Sequence, residues 1–241
     1  MFKRSPSLTE QTRLYIKDRI LDNAFGDGRL PSETELAQIL GVSRTTVREA
    51  LSKLEKEGII RRRQGAGTFV NPAGLQVRTR LDEIWSYEEA LRAHGYTPAV
   101  EVLRLEEQPA GGEAARRLGL SPDEPALLME KRFLEDGAPA ILTRNVLPLR
   151  LLQCRPDEAM ARAPIYEFME TCCQSQLQYY LTELIPVLAD DFLAERLKIP
   201  VNTPLLSFEE IGYDPQNQPI VWATSWFRDD RIRFRLIRRH R

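Results

Sequence analysis

The chain has few of the side chains on which catalytic and metal sites depend. Only two histidines and three cysteines occur among its 241 residues. His94 precedes a helix-ending glycine and His240 is next to last, so neither stands in a nucleophile–base grouping. The sequence contains no CxxC pair, metal-ligand spacing or phosphate-binding loop. We therefore expect no catalytic residue, no metal and no cofactor.

The cysteines and the apolar runs also restrict the compartment. Three cysteines are an odd number, and Cys172 and Cys173 are adjacent, so they cannot easily bridge to each other. No apolar run reaches the roughly 18 to 20 residues that a membrane span needs. The first residues lack the apolar centre of a signal peptide. We expect a cytoplasmic protein with reduced thiols, no disulfide scaffold and no membrane partner.

The near-neutral net charge of −1 hides an asymmetry. Residues 1–72 contain 13 Lys+Arg and 9 Asp+Glu, which leaves 21 (34 − 13) and 26 (35 − 9) in the remainder. The first part therefore carries about +4 and the rest about −5, so only the first part has an electrostatic reason to approach a polyanion. The length suits two modest domains, each with its own core.

Residues 30–58 have the pattern of two helices joined by a tight turn, after a first helix predicted from Leu8 to about Phe25. Ser32 begins an S-x-x-E capping box and Gly41 ends that helix. Ser43 caps the next helix, whose apolar residues recur at helical intervals. These apolar residues are Val47, Ala50, Leu51 and Leu54. The pattern predicts a helix-turn-helix, and an ordinary antiparallel helix pair with a solvated charged face is the alternative.

The opposite side of the second helix and the residues after it favour DNA. Arg44, Thr45 and Arg48 fall on the solvent side, and arginine can offer a bidentate fork to guanine in the major groove. Residues 59–63 and 68–70 read as two strands around a glycine-rich turn, with Arg61, Arg62 and Arg63 in succession. Such a hairpin could be only a charged, solubilising edge. Next to the two helices, it indicates a winged helix whose wing follows the phosphate backbone or enters the minor groove.

Residues 8–70 resemble the DNA-binding domain of the GntR family of bacterial transcription regulators. The resemblance rests on Leu30-Pro31-Ser32-Glu33, Val42 to Leu51, Leu54, Gly58 and Gly65-x-Gly67-Thr68-Phe69-Val70. It implies DNA contacts from the two helix starts and the wing. The implied residues are Ser32, Thr34, Ser43, Arg44, Thr45, Thr46, Arg48, Arg62, Arg63, Gly65 and Gly67. Family members often carry Arg where Thr34 stands and Lys or Arg where Ala66 stands, so two contacts are missing or moved to neighbours.

The second half is predicted as an α+β domain with a mainly antiparallel sheet and helices on one face. Residues 71–74 break both periodicities, which gives domains at 1–72 and 81–241 and a linker at 73–80. Predicted strands cover residues 100–105, 126–134, 140–147, 177–187, 205–213 and 219–227. Predicted helices cover residues 82–92, 113–118, 164–175 and 189–197.

This order resembles the effector-binding (UTRA) domain of the HutC branch of the GntR family, which has a chorismate-lyase-like fold. Ser86 near a helix start, Gly95-Tyr96, Asp136-Gly137-x-Pro139, Ile165-Tyr166 and the closing Trp226 to Asp230 carry the resemblance. It implies that a small-molecule effector binds on the sheet. The implied residues are Ser86, Tyr87, Lys131, Thr143, Asn145, Tyr166, Trp222, Trp226 and Arg228. Phe133 and Thr143 stand where phosphosugar-binding members have Arg and Glu, which disfavours a sugar phosphate. For each position alone, sheet packing or a surface ion pair is an equal alternative.

The combined interpretation is a homodimeric, non-enzymatic regulator, a repressor by the usual mode of the family. Its two winged helices bind two half-sites of double-stranded operator DNA, and an effector controls the affinity. The alternative is a lyase-like enzyme or a ligand-binding protein that uses the second half alone.

Overall fold

The computed structural model describes residues 6–173 and 175–238. Its contacts divide the chain into two compact units. One runs to Arg80 and includes the segment from Arg235, and the other is Leu81–Phe234. No helix in the described part of the chain is long and apolar enough to cross a membrane.

The first unit is a three-helix domain with a two-stranded wing. Its helices are α1 (Leu8–Leu21), α2 (Glu33–Leu40) and α3 (Arg44–Glu57), and its strands are β1 (Ile60–Arg63) and β2 (Gly67–Val70). The predicted capping box of Ser32 and Glu35 is present, and Gly41 ends α2 with a φ of +65°, a conformation that glycine adopts without steric cost. The core joins α1, α3 and the wing through Ile16, Leu51, Leu54 and Ile60.

Residues 71–80, which include the predicted linker at 73–80, pack onto the end of α3. The side-chain amide of Asn71 donates to the carbonyl oxygen of Gly58 at 2.7 Å, and Arg80 donates to that of Glu57 at 3.3 Å. Gly74 is buried so closely that an added Cβ would lie 2.0 Å from the Gly58 oxygen. Residues 73–80 therefore belong to the first compact unit.

The second unit is built on one antiparallel sheet of six strands. The strands are β3 (Pro98–Pro109), β4 (Pro125–Glu135), β5 (Ala138–Pro148), β6 (Tyr179–Leu188), β7 (Pro204–Tyr213) and β8 (Pro219–Arg228). Their order is β3-β4-β5-β8-β7-β6. The helices are α4 (Tyr87–Ala93), α5 (Gly111–Leu118), α6 (Glu158–Arg162), α7 (Ile165–Cys172) and α8 (Asp191–Leu197). The predicted α+β class is confirmed.

The expectation of helices on one face was wrong, because helices cover both faces of this sheet. Leu118 of α5 packs with Leu128, while Phe168 of α7 packs with Leu127. Leu127 and Leu128 are neighbours on β4, and adjacent residues of a strand point to opposite faces. Strand β4 is accordingly buried on both sides, from Ala126 to Lys131.

The expectation of three reduced thiols was also wrong in this structure. Cys154 and Cys172 form a disulfide with Cα atoms 5.4 Å apart, and only Cys173 is free, buried beside them. The backbone brings the two together, because Gln153 donates its N–H to the Cys172 carbonyl at 2.8 Å. The chain distance of 18 residues gave no sign of this contact.

Candidate functional sites

The first turn of α3 presents polar side chains to solvent. The Ser43 hydroxyl accepts a hydrogen bond from the Thr46 N–H at 3.0 Å and lies 2.8 Å from the Thr46 hydroxyl, so both residues fix the helix start. Arg44, Thr45 and Arg48 are exposed. An exposed helix N-terminus with arginine and threonine offers partial positive charge, a guanidinium fork and hydroxyl groups to a DNA groove.

Two carboxylates hold arginines that border this turn. Arg48 Nε lies 3.0 Å from Glu33 Oε2, and Arg62 Nη2 lies 3.5 Å from Glu33 Oε1. Arg62 Nε also lies 3.5 Å from Glu55 Oε2. Each exposed pair contributes at most about 1 kcal/mol, but together they fix the wing against α3. Arg62 therefore holds the wing against the helices through its ion pairs, while Arg63 points to the opposite side of β1.

The remaining predicted DNA residues lie at the start of α2 or in the wing. Ser32 is committed to its capping box, since its hydroxyl accepts from the Glu35 N–H at 3.2 Å. Thr34 is exposed in the first turn of α2. Gly65 and Gly67 have φ values of +74° and +115°, so the turn between β1 and β2 requires glycine at both places.

Four polar side chains meet at the centre of the second unit on one face of the sheet, which we call the polar sheet face: Lys131, Thr143, Asn145 and Ser225. Lys131 on β4 is paired with Thr143 on β5, and Thr143 with Ser225 on β8. Asn145 lies two residues further along the same face of β5. All four are buried, with exposed fractions of 1% to 5%. Buried polar groups normally have partners, so such a row on one face is typical of a ligand site.

Lys131 carries a buried positive charge with few partners. Its Nζ donates to the Ala163 carbonyl at 2.7 Å, and no carboxylate of the described residues forms an ion pair with it. Burial lowers its pKa to about 8, and the Glu88 carboxylate acts in the opposite direction. Burial likewise raises the pKa of Glu88. Glu88 Oε2 is buried and has no hydrogen-bond partner among the described residues. The site thus holds both a donor and an acceptor that are incompletely satisfied.

The start of α4 covers the polar sheet face. The Tyr87 hydroxyl lies 2.6 Å from the Ser225 hydroxyl, and its ring packs edge-on against Phe133 and Phe227. Ser86 is buried and caps α4, because its hydroxyl accepts from the Glu89 N–H at 3.0 Å. Burial raises the pKa of Tyr166 on α7, and an interaction with Ser86 opposes this shift. Ser86, Tyr87 and Tyr166 are therefore brought together with Lys131, as the resemblance implies.

Three other candidate effector residues lie on the opposite face of the sheet. Trp222 packs with α5, and Trp226 packs with α8 through Phe192, whose ring centre is 6.5 Å away. Arg228 donates to the Pro139 carbonyl at 2.9 Å and pairs with Asp230. The physical reason is the strand period of two, because all three have even numbers on β8 whereas Ser225 is odd. They do not share a surface with Lys131.

Glu210 and Ser225 belong to the same face as Lys131 and were missed. Glu210 accepts from the Thr182 hydroxyl at 2.7 Å, and burial raises its pKa to about 6. It is paired with Ala223 in the sheet, which places it on the Ser225 side. The consecutive Glu209 and Glu210 were the available signal, since one of two neighbours on a strand must face inward.

The few residues with metal or base chemistry do not gather in the described part of the chain. His94 Nδ1 lies 2.7 Å from the Ala90 carbonyl of its own helix. His240 lies outside the described residues. No group of three His, Cys, Asp or Glu among residues 6–173 and 175–238 could hold a metal ion.

Comparison with known proteins identifies both units. The profile of the gntR family of bacterial regulatory proteins matches residues 8–70, and that of the UTRA domain matches residues 93–233. The HTH-type transcriptional repressor NagR of Bacillus subtilis is 28% identical over 237 residues, which are 96% of this chain and 95% of that protein. The histidine utilization repressor of Pseudomonas putida is 36% identical over 112 residues, 46% of this chain and 44% of that protein.

A solved structure has the same fold. The crystal structure of the possible transcriptional regulator YydK from Bacillus subtilis superposes with a TM-score of 0.74 at 18% identity, over 97% of this chain and 100% of that one. The two family profiles and the similarity to the histidine utilization repressor confirm the resemblance to the GntR family and its HutC branch. The chain belongs to the gntR family of bacterial regulatory proteins, and it is a DNA-binding transcriptional regulator whose UTRA domain binds an effector.

Proposed function

We propose that the protein is a homodimeric repressor that acts in the cytoplasm and has no enzymatic activity. Two relatives that match over 96% and 86% of the chain are named repressors. Two DNA-binding units are needed because operator half-sites lie about one helical turn apart, and one unit buries little surface. In this proposal residues 1–72 bind DNA, residues 73–80 connect the units, and residues 81–241 bind the effector and form the dimer.

The DNA contacts are proposed for the start of α3 and its surroundings. Arg44 and Thr45 read bases from the major groove, because they are exposed at the helix start. Ser43 and Thr46 fix that helix start, and Arg48 lies beside it. The further proposed contact residues are Ser32, Thr34, Arg62, Arg63, Gly65 and Gly67. The ion pairs of Arg62 with Glu33 and Glu55 partly neutralise its charge, so this arginine mainly positions the wing.

The effector is proposed to bind on the polar sheet face, beneath α4 and α7. The observation that carries this proposal is Lys131, a lysine with an exposed fraction of 2% whose ammonium group has one backbone oxygen as its hydrogen-bond partner. A buried charge with so few partners destabilises the fold, so its presence points to a ligand role. Ser86, Tyr87, Thr143, Asn145 and Tyr166 complete the site. Trp222, Trp226 and Arg228 support the sheet from its other face.

The available groups define the chemistry of the effector. Lys131 requires an anionic or other acceptor oxygen, whereas the unsatisfied oxygen of Glu88 requires a hydroxyl or N–H donor. The side-chain amide of Asn145 can act as either a hydrogen-bond donor or an acceptor. A small polar molecule with both kinds of group fits this site. Phe133 and Thr143 still disfavour a phosphorylated sugar.

A ligand screen tests this proposal. Purified protein is screened against small polar metabolites by thermal shift, and each hit is tested for release of operator DNA, because a state-selective ligand must both stabilise the protein and change DNA affinity. We expect Lys131→Met to abolish both responses. Hits that act equally on wild type and on Lys131→Met would contradict the site. Conversion of a hit to a product by the purified protein would contradict the non-enzymatic role.

A further inference from the structure

The Cys154–Cys172 disulfide closes a loop in the second unit. Cys154 precedes α6 and Cys172 is the last residue of α7, so the bond encloses both helices and the turn between them. In the cytoplasm proposed for this protein, thiol buffers keep most cysteines reduced, and a disulfide there is usually transient and redox-responsive. The bond is therefore more consistent with reversible chemistry than with a permanent cross-link.

The enclosed loop carries two groups of the proposed effector site. Ala163, in the turn between α6 and α7, has the carbonyl that accepts from Lys131 Nζ at 2.7 Å. Tyr166, in the first turn of α7, interacts with the Ser86 side chain. Both groups lie between the two cysteines in the chain. The disulfide thus restricts the segment that contacts Lys131.

The two helices of this loop differ in how firmly they are packed. Phe168 and Met169 of α7 are fully buried in the core of the unit. In α6 only Ala161 is buried, and Met160 is half-buried against the same core. Helix α7 is therefore held by its own packing, whereas residues 155–163 depend more on the disulfide for their position.

The two sulfur atoms also differ in access. Cys154 is half-buried, whereas Cys172 is fully buried, so a small thiol reaches the Cys154 sulfur. Its thiolate attacks that sulfur, the S–S bond breaks, and the Cys172 sulfur leaves as a thiolate that takes up a proton. A second thiol then attacks the reagent's sulfur in the mixed disulfide, which releases Cys154 as a thiol and yields the reagent's own disulfide. The same exchange in reverse, with a small disulfide as the oxidant, restores the bond.

The third cysteine does not take part in this exchange. Cys173 is buried, and burial raises the pKa of its thiol to about 11. The thiol therefore stays protonated at neutral pH, and the thiolate is the form that attacks a disulfide. The backbone of Cys173 is also paired with that of Leu152. Cys154 and Cys172 accordingly exchange with an external reagent and keep their pairing.

We propose that Cys154 and Cys172 form a reversible redox site, through which low-molecular-weight thiols and their disulfides control the order of residues 155–163 beside Lys131. In the oxidised form the Ala163 carbonyl is held at Lys131, and an effector meets a preformed site. In the reduced form the effector must order this segment as it binds, which lowers its affinity. Only this last consequence rests on the proposed effector site.

A thiol titration tests the redox chemistry. The full chain is equilibrated in mixtures of reduced and oxidised glutathione, quenched, alkylated under denaturing conditions and weighed by mass spectrometry. We expect one alkylated cysteine per chain in the oxidising mixtures and three in the reducing ones, since only Cys173 is free when the bond is formed. One alkylated cysteine in every mixture, or three in every mixture, would overturn the redox site.

Hydrogen exchange tests the order of the segment without any effector. The N–H groups of Ala161 and Ala163 donate to the Asp157 and Met160 carbonyls. A disulfide that closes a loop of about 15 residues changes an opening equilibrium by at most about 150-fold, so we expect both amides to exchange about 10- to 150-fold faster after reduction. The Ala194 amide of α8, which lies outside the loop, should be unaffected.

A chemical probe connects this opening to the effector site. Acetylation of Lys131 by acetic anhydride should be faster after reduction, because its Nζ loses the Ala163 carbonyl. Acetylation of the exposed Lys56 should not change. Equal acetylation of Lys131 in the two forms would overturn the connection. None of these measurements uses an effector, so their failure is distinguishable from failure of the proposed function.

Two variants separate the disulfide from other effects of the reductant. Cys154→Ser should exchange like reduced wild type whether or not a reductant is present. Cys173→Ala should respond to reduction like wild type. Equal exchange in oxidised and reduced wild type, faster exchange of Cys154→Ser on addition of reductant, or a Cys173→Ala protein that no longer responds would each overturn the proposal. Reduced wild type provides the same opened state without a substitution at the half-buried Cys154.

Discussion

Replacement of Lys131 by methionine should make the folded protein more stable while it removes the effector response. Lys131 has an exposed fraction of 2%, and its ammonium group donates to the Ala163 carbonyl at 2.7 Å. Methionine has a similar length and fills the space beside Phe133, whose ring centre is 5.7 Å from Nζ. The substitution therefore removes a buried charge and leaves a packed side chain.

The magnitude follows from the pKa of Lys131. Burial lowers this pKa from 10.5 to about 8, so the charged form at neutral pH costs about 3 kcal/mol of folding free energy. Loss of the hydrogen bond to Ala163 subtracts about 1 kcal/mol. We expect Lys131→Met to raise the free energy of unfolding at pH 7 by about 2 kcal/mol. Sites used for binding are often less stable than the fold allows, and this gain would be an example.

The pH dependence gives a sharper assay than the single value. Because the folded pKa lies below the unfolded one, the unfolded chain binds more protons between about pH 8 and 10.5, and the wild type gains stability as pH rises through this window. The difference between wild type and variant in urea unfolding should shrink from pH 8 to pH 10.5. Lys56→Met, on an exposed residue, should show a constant difference. A Lys131→Met protein that is less stable than wild type at pH 7, with no such convergence, would refute the reasoning.

Three further predictions concern other parts of the chain. Arg44→Ala should lose about 1 to 3 kcal/mol of discrimination between operator and random DNA, and equal weakening on both DNAs would remove its base-reading role. Burial raises the pKa of Glu210 from 4.5 to about 6, so the folded wild type loses stability as pH rises through this range. Glu210→Gln should therefore be about 2 kcal/mol more stable at pH 7, with a free energy of unfolding that does not change between pH 4.5 and 6 on account of this residue. Gly74→Ala should lose about 3 kcal/mol in urea unfolding, because the new Cβ meets the Gly58 oxygen at 2.0 Å, whereas Gly112→Ala, which meets nothing within 4 Å, should lose none.

The sequence predicted the succession of strands along the chain and all but one of the helices. It did not predict where these elements end or on which face of the sheet each helix packs. Strand β3 was expected at residues 100–105 and runs from Pro98 to Pro109, because a bulge between Val102 and Arg104 interrupts its alternation. Helix α6 has only five residues, too few for a helical period. The burial of β4 on both faces could have been predicted from its run of apolar residues from Ala126 to Met129, since a strand covered on both faces has continuous apolar residues.

Features of the candidate sites could be predicted from the sequence where they depend on residues close together in the chain. Helix caps such as Ser43 and Ser86 were predictable because a cap depends on residues three positions away. The sheet face on which Trp222 and Trp226 lie could have been predicted, because alternate residues of a strand point to opposite faces. A resemblance based on motifs alone does not take this alternation into account. The Cys154–Cys172 disulfide and the approach of Arg29 to the wing depend on contacts between segments distant in the chain, which periodicity cannot reveal.

The central claim is that an effector on the polar sheet face and DNA at α3 bind to the same protein with coupled affinities. Its most direct test is the affinity of the protein for a screened effector, measured by calorimetry without DNA and with saturating operator DNA. Linkage requires that DNA change the effector affinity by the same factor by which the effector changes the DNA affinity. We predict equal factors of about 5 to 150 in wild type and no measurable effector binding in Lys131→Met. Effector binding that is unaffected by operator DNA, or that persists in Lys131→Met, would contradict the account.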